Sequence, residues 1–302
     1  MLITLKKILE IAEEKNIAIG AFNATNLESL RAIIGSAEEL SLPVILQFAQ
    51  CHESWVPLEV IGPVMISLAK KASIPVCVHL DHGEDLNYLQ KALELGFTGI
   101  MYDGSTLAYA ENLENTQKAV AMAEKTGASV EAELGSMGRR ESGTGDGSLY
   151  IDKAKIYTNP QEAKEFVQNS GIDALACSFG TTHGIYLSKP QLNFDIVKNV
   201  RILTDRIPIV MHGGSGVDKE DFCNAIRAGV RKINYFTYMD KAGGSAADEY
   251  LRHLKEEPKF FSSISTAAMN AMMENVKEAM RTFALLETDN MIGSPLKTAN
   301  FD

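Results

Sequence analysis

Residues Val76 to Glu84 read V-C-V-H-L-D-H-G-E, a β-branched apolar run ending in a carboxylate beside an imidazole and then a glycine. Such a run reads as a buried strand that delivers an acid/base group, Asp81, and a potential metal ligand, His82, to its carboxyl end. Two more histidines stand in the same setting, T-T-H-G at His183 and M-H-G-G-S-G at His212. Neutral imidazoles converging from three strand ends suit a divalent cation, and three protein ligands leave one position for a reacting oxygen, the mark of catalytic zinc. Any one of these histidines alone is better read as an ordinary hydrogen-bonded loop residue. Three of the same kind favour a metal, with zinc, cobalt and manganese all admissible. His79, two residues deeper on the face of Asp81, reads as an interior histidine, and His52 and His253 read as surface or loop residues.

The carboxylates admit two readings each. Asp81 can exchange a proton with a substrate hydroxyl near the metal, or it can orient an imidazole. Glu131 and Glu133 alternate onto one face of a strand. They could serve a second metal position with Asp103, or satisfy polar groups inside the fold, and the second reading is favoured. Gly213-Gly214-Ser215-Gly216 could cradle anionic oxygens on backbone N–H groups, with Asn234 and Thr237, read as ending the last strand, adding donors. As an isolated pattern it is weak, because tight turns need glycine for backbone reasons alone.

Elements must position these groups, and the sequence supplies eight of each kind needed. Short Val/Ile-rich runs at Ile17–Asn23, Val44–Ala49, Val76–Asp81, Thr98–Tyr102, Ser129–Glu133, Asp173–Ser178, Ile207–His212 and Val230–Tyr235 alternate with helical patterns. The helical patterns are Leu27–Leu40, Leu58–Lys71, Asp85–Leu95, Leu107–Lys125, Pro160–Asn169, Phe194–Thr204 and Lys219–Ala228, with a further helix over Ser265–Phe283. The alternation predicts parallel strands joined by crossovers, and eight units without a dinucleotide-type glycine fingerprint predict a single-domain (β/α)₈ barrel over residues 1–302. In such a barrel the strand carboxyl ends share one face. Asn23, Asp81, His82, Asp103, Glu133, His183, His212 and Asn234 all fall there. A long glycine-rich stretch, about 135–152, reads as a mobile cover, and about 265–302 as a C-terminal helical extension.

Composition narrows the class. The 302 residues are 45% hydrophobic and 23% charged, enough apolar material for one large core. A formal net charge of −10 argues against a nucleic-acid reader. Cys51, Cys77, Cys177 and Cys223 are scattered without C-x-x-C spacing, as expected of reduced thiols in a cytoplasmic protein. The N-terminus has charge at helical spacing rather than a leader's apolar run, and no stretch approaches the roughly 20 apolar residues that span a bilayer, so neither export nor a membrane is expected.

Together, G-A-F-N-A-T-N at Gly20, H-L-D-H-G at His79, Y-D-G-S at Tyr102, V-E-A-E-L-G at Val130, G-T-T-H-G at Gly180, H-G-G-S-G at His212 and K-I-N-x-x-T at Lys232 resemble the class II, metal-dependent ketose-bisphosphate aldolases, fructose- and tagatose-bisphosphate enzymes among them. These segments run in family order over nearly the whole chain. The resemblance implies a (β/α)₈ barrel with zinc, or another divalent metal, on His82, His183 and His212, with Asp103 and Glu133 as an alternative metal position and a monovalent cation as an additional cofactor. It implies Asp81 as acid/base at the C4 oxygen and Glu141 as the proton carrier at C3. Gly184, Gly213, Ser215, Asn234 and Thr237 would hold the phosphate of dihydroxyacetone phosphate, with Asn23 and Gly214 also contacting substrate. It implies a sugar-phosphate substrate and a homodimer or homotetramer. A Schiff-base mechanism would need a desolvated lysine at a strand end. Lys232 sits deeper, so the metal mechanism is preferred.

Departures from the family pattern concern the other half of the substrate. Where the family shows N-I-D-T or N-V-A-T, Tyr235, Phe236 and Tyr238 crowd Thr237, and Asp240 stands where some members carry arginine for the distal phosphate. The expectation is reversible cleavage of a ketose 1,6-bisphosphate or a ketose 1-phosphate to dihydroxyacetone phosphate and an aldehyde, with specificity altered at the aldehyde half and a far end without phosphate admissible. Rival readings are a non-catalytic barrel subunit and another zinc lyase or epimerase on the same barrel.

Overall fold

The computed structural model describes residues 1–135, 157–182, 190–255 and 257–286. In chain order the elements are α1 (Leu5–Lys15), β1 (Ile19–Asn23), α2 (Leu27–Leu40), β2 (Val44–Ala49), α3 (Leu58–Lys71), β3 (Val76–Gly83), α4 (Leu86–Glu94), β4 (Gly99–Tyr102) and α5 (Tyr109–Glu124). They continue with β5 (Ser129–Leu134), α6 (Pro160–Ser170), β6 (Ala174–Cys177), α7 (Phe194–Leu203), β7 (Ile209–Met211), α8 (Lys219–Ala228), β8 (Val230–Tyr235), α9 (Thr237–Leu254) and α10 (Phe261–Phe283). The strands are parallel, pair in sequence order and close through β1 and β8, with Ile19 opposite Lys232 and Ala21 opposite Asn234. The molecule is the single-domain (β/α)₈ barrel that the alternation predicts.

Period-two alternation gives the barrel interior its layers. At the amino ends of the strands, Ile19, Ala21, Ile45, Cys77, Ala174, Ala176 and Val210 form an apolar plug, and α1 seals it from below with Leu5, Ile8, Leu9 and Ala12. Thr4 caps α1 by accepting from the Lys7 N–H, and Asn16 ends it in the left-handed conformation. Further along β1, β2 and β3 the buried side chains turn polar at Asn23, Gln47, His79 and Asp81, and β5 and β8 add the buried Glu131, Glu133, Lys232 and Asn234. The outward-facing residues, Phe22, Leu46, Phe48, Val78 and Leu80 among them, pack with the helices in the larger core.

Two helices depart from the sequence expectation. The stretch Thr237–Leu254, without a helical assignment from its pattern, is α9, and Thr237 opens that helix instead of ending β8. Gly243 and Gly244 weaken the local helical signal. The packing repays the first of them, because a Cβ on Gly243 would come within 3.0 Å of Met272 on α10. Helix α10 begins at Phe261, four residues ahead of the expected Ser265, and its carboxyl end docks on the barrel. There Phe283 stacks on Phe22 and meets Phe222 and Tyr235 edge-on. The buried Lys277 ties it to α2 through Glu39. The expected cover, from residue 136 onward, and the C-terminal tail after residue 286 lie outside the described residues. Among the described residues no helix is long and apolar enough to cross a membrane.

Candidate active site

A regular strand points successive side chains to opposite faces, yet Asp81 and His82 both serve the barrel mouth. The pairing of β3 with β4 explains this: its register shifts between Leu80 and Gly83, and His82 adopts a left-handed φ of 45°. A non-glycine residue held there stores backbone strain. Its side chain is fixed by Asp103, whose Oδ2 lies 2.8 Å from Nδ1 of His82, and its backbone N–H points at Sδ of Met101 at 3.4 Å. The irregularity brings an acid and an imidazole from consecutive positions into one site.

Asp81 is bracketed by amides from the two strands at the barrel's closing seam and beyond it. Asn23 Nδ2 donates to its Oδ2 at 3.0 Å, and Asn234 Nδ2 donates to its Oδ1 at 2.9 Å. Gln47 Nε2 in turn donates to Asn23 Oδ1 at 2.8 Å. Burial alone would raise the Asp81 carboxyl, but the imidazoles of His82 and His212, the Lys232 ammonium and the Asn23 donor overcome it and hold the group ionised, well below the usual carboxylate range. A buried base with both oxygens oriented is poised to accept a proton.

The imidazoles test whether a metal fits. A carboxylate only accepts, so the Asp103 contact requires a proton on Nδ1 of His82 and turns Nε2 toward His212. The same logic applies to His212, whose Nε2 lies 2.8 Å from Glu131 Oε1, which turns Nδ1 toward His82, with Glu133 Oε2 at 3.9 Å. His82 Nε2 and His212 Nδ1 face each other at 2.9 Å. Nitrogens at that separation share either a proton or a cation. Tetrahedral zinc with ordinary Zn–N bonds would set them about 3.3 Å apart, so the donor set fits with a small relaxation. Without metal, a proton takes that role. Burial lowers the His82 imidazole, yet Asp81, Asp103 and Glu133 raise it to about 10. Burial first, and then the neighbouring His82, keep His212 below the ordinary histidine value despite Glu131.

Ligand atoms of Asp81, His82 and His212 lie within 4.8 Å of one another, and so do those of His82, Asp103 and Glu133. The described residues thus present two overlapping cation positions that share His82. His183, Gly184 and Glu141 lie outside the described residues. His79 is fully buried with Nε2 3.3 Å from Glu131 Oε2, an interior histidine as expected. Glu131 has a more definite task than filling the interior, since it receives His212 on one oxygen and the Lys232 ammonium, at 2.8 Å, on the other. Sequence reading passed over Gln47 and this use of Glu131. The available signal was the period-two recurrence of polar residues in runs otherwise apolar.

The candidate anion loop follows β7. Gly213 has φ 64°, and a Cβ there would meet Thr182 O at 2.3 Å, so the turn and the close approach of the chain after β6 both demand glycine. The Gly214 N–H is already donated to Asn234 O at 3.2 Å, and Ser215 Oγ accepts the Phe236 N–H at 3.2 Å. Those contacts pin the loop to β8. Thr237, as the first residue of α9, stands at a helix amino terminus, where anions are favoured. His52, read as a surface or loop residue, does lie in the connection after β2 but is fully buried, stacked on Trp55 at 4.6 Å and packed against Phe48 and Phe236. This aromatic group joins the loops after β2 and β8.

The barrel mouth joins an oriented buried carboxylate to an imidazole pair, a set of groups suited to metal-assisted proton transfer. The sequence goes further: the description fructose-bisphosphate aldolase class-II matches residues 3–287, and the chain belongs to that family. It is an aldolase-type lyase of a metal-dependent family. The chain is 36% identical over 278 residues to a sulfofructosephosphate aldolase from Alkalicoccus urumqiensis, a match covering 92% of this chain and 95% of that one. It resembles the crystal structure of the YdjI aldolase of Escherichia coli K12 at TM-score 0.82 and 34% identity, covering 94% of this chain and 97% of the other. A fructose-bisphosphate aldolase from Campylobacter jejuni, at TM-score 0.78 and 24% identity over 93% and 95% of the two chains, shares the fold.

Proposed function

We propose that the protein is a zinc-dependent class II aldolase that reversibly splits the C3–C4 bond of a ketose phosphate into dihydroxyacetone phosphate and an aldehyde. The observation that carries this reading is the contact between His82 Nε2 and His212 Nδ1, 2.9 Å apart beside Asp81, in a group of side chains with ligand atoms close enough to share a cation. His82, His212 and His183 would hold the metal, with Asp103 and Glu133 offering the alternative position. When bound it supplies a Lewis acid for the negative charge that grows on the ketone oxygen during cleavage. Asp81 takes the proton from the C4 hydroxyl, which lets the C4 oxygen become a carbonyl as the C3–C4 electron pair moves to the three-carbon fragment. Glu141 returns a proton to C3. Asn23 and Asn234 hold Asp81 on line, and Gly184, Gly213, Gly214, Ser215 and Thr237 surround the phosphate of the three-carbon half.

For the far half we propose a substrate without a distal phosphate. Tyr235, Phe236 and Tyr238 add aromatic bulk, Asp240 puts a carboxylate early in α9, and one relative is named for a sulfo-substituted fructose phosphate. Cleavage rates for fructose 1,6-bisphosphate, tagatose 1,6-bisphosphate and a set of ketose 1-phosphates, each assayed with and without a chelator, test both parts. Preference for either bisphosphate overturns the far-half reading, and full activity in metal-free protein overturns the zinc reading. We also read the chain as a homodimer or homotetramer, which sedimentation velocity tests.

A further inference from the structure

Lys232 is fully buried in the barrel, and its hydrogen bond and ion pair go to Asn234 and Glu131 and not to Asp81, His82 or His212. Its ammonium lies 2.8 Å from Glu131 Oε2 and donates to Asn234 Oδ1 at 2.7 Å. Each contact leads to a different half of the site. Glu131 receives the Nε2–H of His212 at 2.8 Å, which leaves Nδ1 to face the cation position. Asn234 turns its Nδ2 to Asp81 Oδ1 at 2.9 Å. The amide has only one consistent orientation here. Lysine offers no acceptor and the Asp81 carboxylate offers no donor, so the oxygen must face Lys232 and the nitrogen must face Asp81.

We propose that Lys232 is a positioning residue that sets the His212 tautomer through Glu131 and the Asp81 orientation through Asn234, holding both halves of the site from one buried ammonium. The inference rests on the aldolase reading for its effect on turnover, but its effect on His212 stands without it. The two arms diverge at Lys232, which gives a specific pattern of coupling. Groups that orient a metal-ligating histidine typically change metal affinity or activity by about 10–100-fold when removed. Lys232→Met should weaken zinc binding by about that range through the first arm, and should lower kcat with little change in KM through the second. In a Glu131→Gln background the first arm is already broken. There Lys232→Met should leave zinc affinity unchanged to within about twofold while still lowering kcat.

The test compares full-length wild type, Lys232→Met, Glu131→Gln and the double variant. Circular dichroism establishes the fold, and the double variant removes both buried charges together, so it remains informative if Lys232→Met alone fails to fold. Three readouts are needed: zinc affinity by competition with a chromophoric chelator, kcat and KM on fructose 1-phosphate and fructose 1,6-bisphosphate, and ring ¹⁵N shifts of His212 in zinc-free protein. Loss of the Nε2–H form of His212 in Lys232→Met, with the coupling pattern above, supports the proposal. Lys232→Met with an unchanged His212 tautomer, or with zinc affinity and kcat both within about twofold of wild type, overturns it. So does an undiminished effect of Lys232→Met on zinc affinity in the Glu131→Gln background. A wild type that cleaves neither sugar phosphate, yet whose His212 tautomer still depends on Lys232, overturns these two substrates and supports the positioning role.

Discussion

Asp81 is the residue at which burial, charge and orientation meet. Its carboxylate is buried and ionised, each oxygen receives an amide, and the amides come from β1 and β8. Asp81→Asn keeps the size and removes the base. The expected outcome is a kcat lower by about 10²–10⁴-fold with zinc affinity changed far less, measured by steady-state kinetics and chelator competition. Asn23→Ala removes one bracket while leaving the base, so it should lower kcat by a smaller factor. If Asn23→Ala matched Asp81→Asn, orientation rather than proton transfer would be the main task of Asp81.

Elements set what those residues can do. Helix α1 contributes no site residue, yet it closes the apolar plug on which the polar layer stands. Leu9 is fully buried there, and Leu9→Ala is expected to cost about 2–5 kcal/mol in urea unfolding. Activity of the folded fraction should be retained, since the plug lies at the opposite end from the mouth. The α9 and α10 pair makes a second element-scale case. Gly243→Leu should destabilise by forcing Met272 away from a contact already at 3.0 Å, whereas the same change at Gly244, with open space around it, should be near neutral or stabilising. Thermal unfolding of the two variants separates local helix propensity from helix packing.

At the scale of the whole molecule, Glu13 links α1 to Arg201 on α7 and Arg231 on β8, joining three parts of the chain far apart in sequence. Burial would raise the Glu13 carboxyl, but Arg201 and Arg231 together hold it below its ordinary value of 4.5. A depressed carboxylate contributes stability that is present above the unfolded value and is lost as pH falls through the folded one. Glu13→Gln should therefore lower the unfolding midpoint at pH 7 and flatten the loss of stability below about pH 4.5, read by denaturant titrations across the acid range. Metal gives the other global handle. A ligand that binds only the folded chain stabilises it by about 4 kcal/mol at 1,000 times Kd, so chelation should abolish cleavage and lower the unfolding midpoint, with zinc restoring both.

The sequence by itself determined the barrel, because eight apolar runs at strand length alternate with helical patterns and parallel strands admit only crossover connections. The boundaries of β2, β8, α2, α3 and α8 also follow from local periodicity. It determined, too, which polar side chains share the interior, since period two along each strand places Asn23, His79, Asp81, Glu131, Lys232 and Asn234 on one surface. What only the tertiary structure decided are relations between strands. The register shift that turns His82 into the mouth beside Asp81 depends on β4. The proton on His212 depends on Glu131 of β5, and the burial of His52 depends on Phe236 from the far side of β1. Helix α9, broken by two glycines in its own sequence, is stabilised by its contact with α10. Each of these depends on a neighbour distant along the chain, so no local window could carry it.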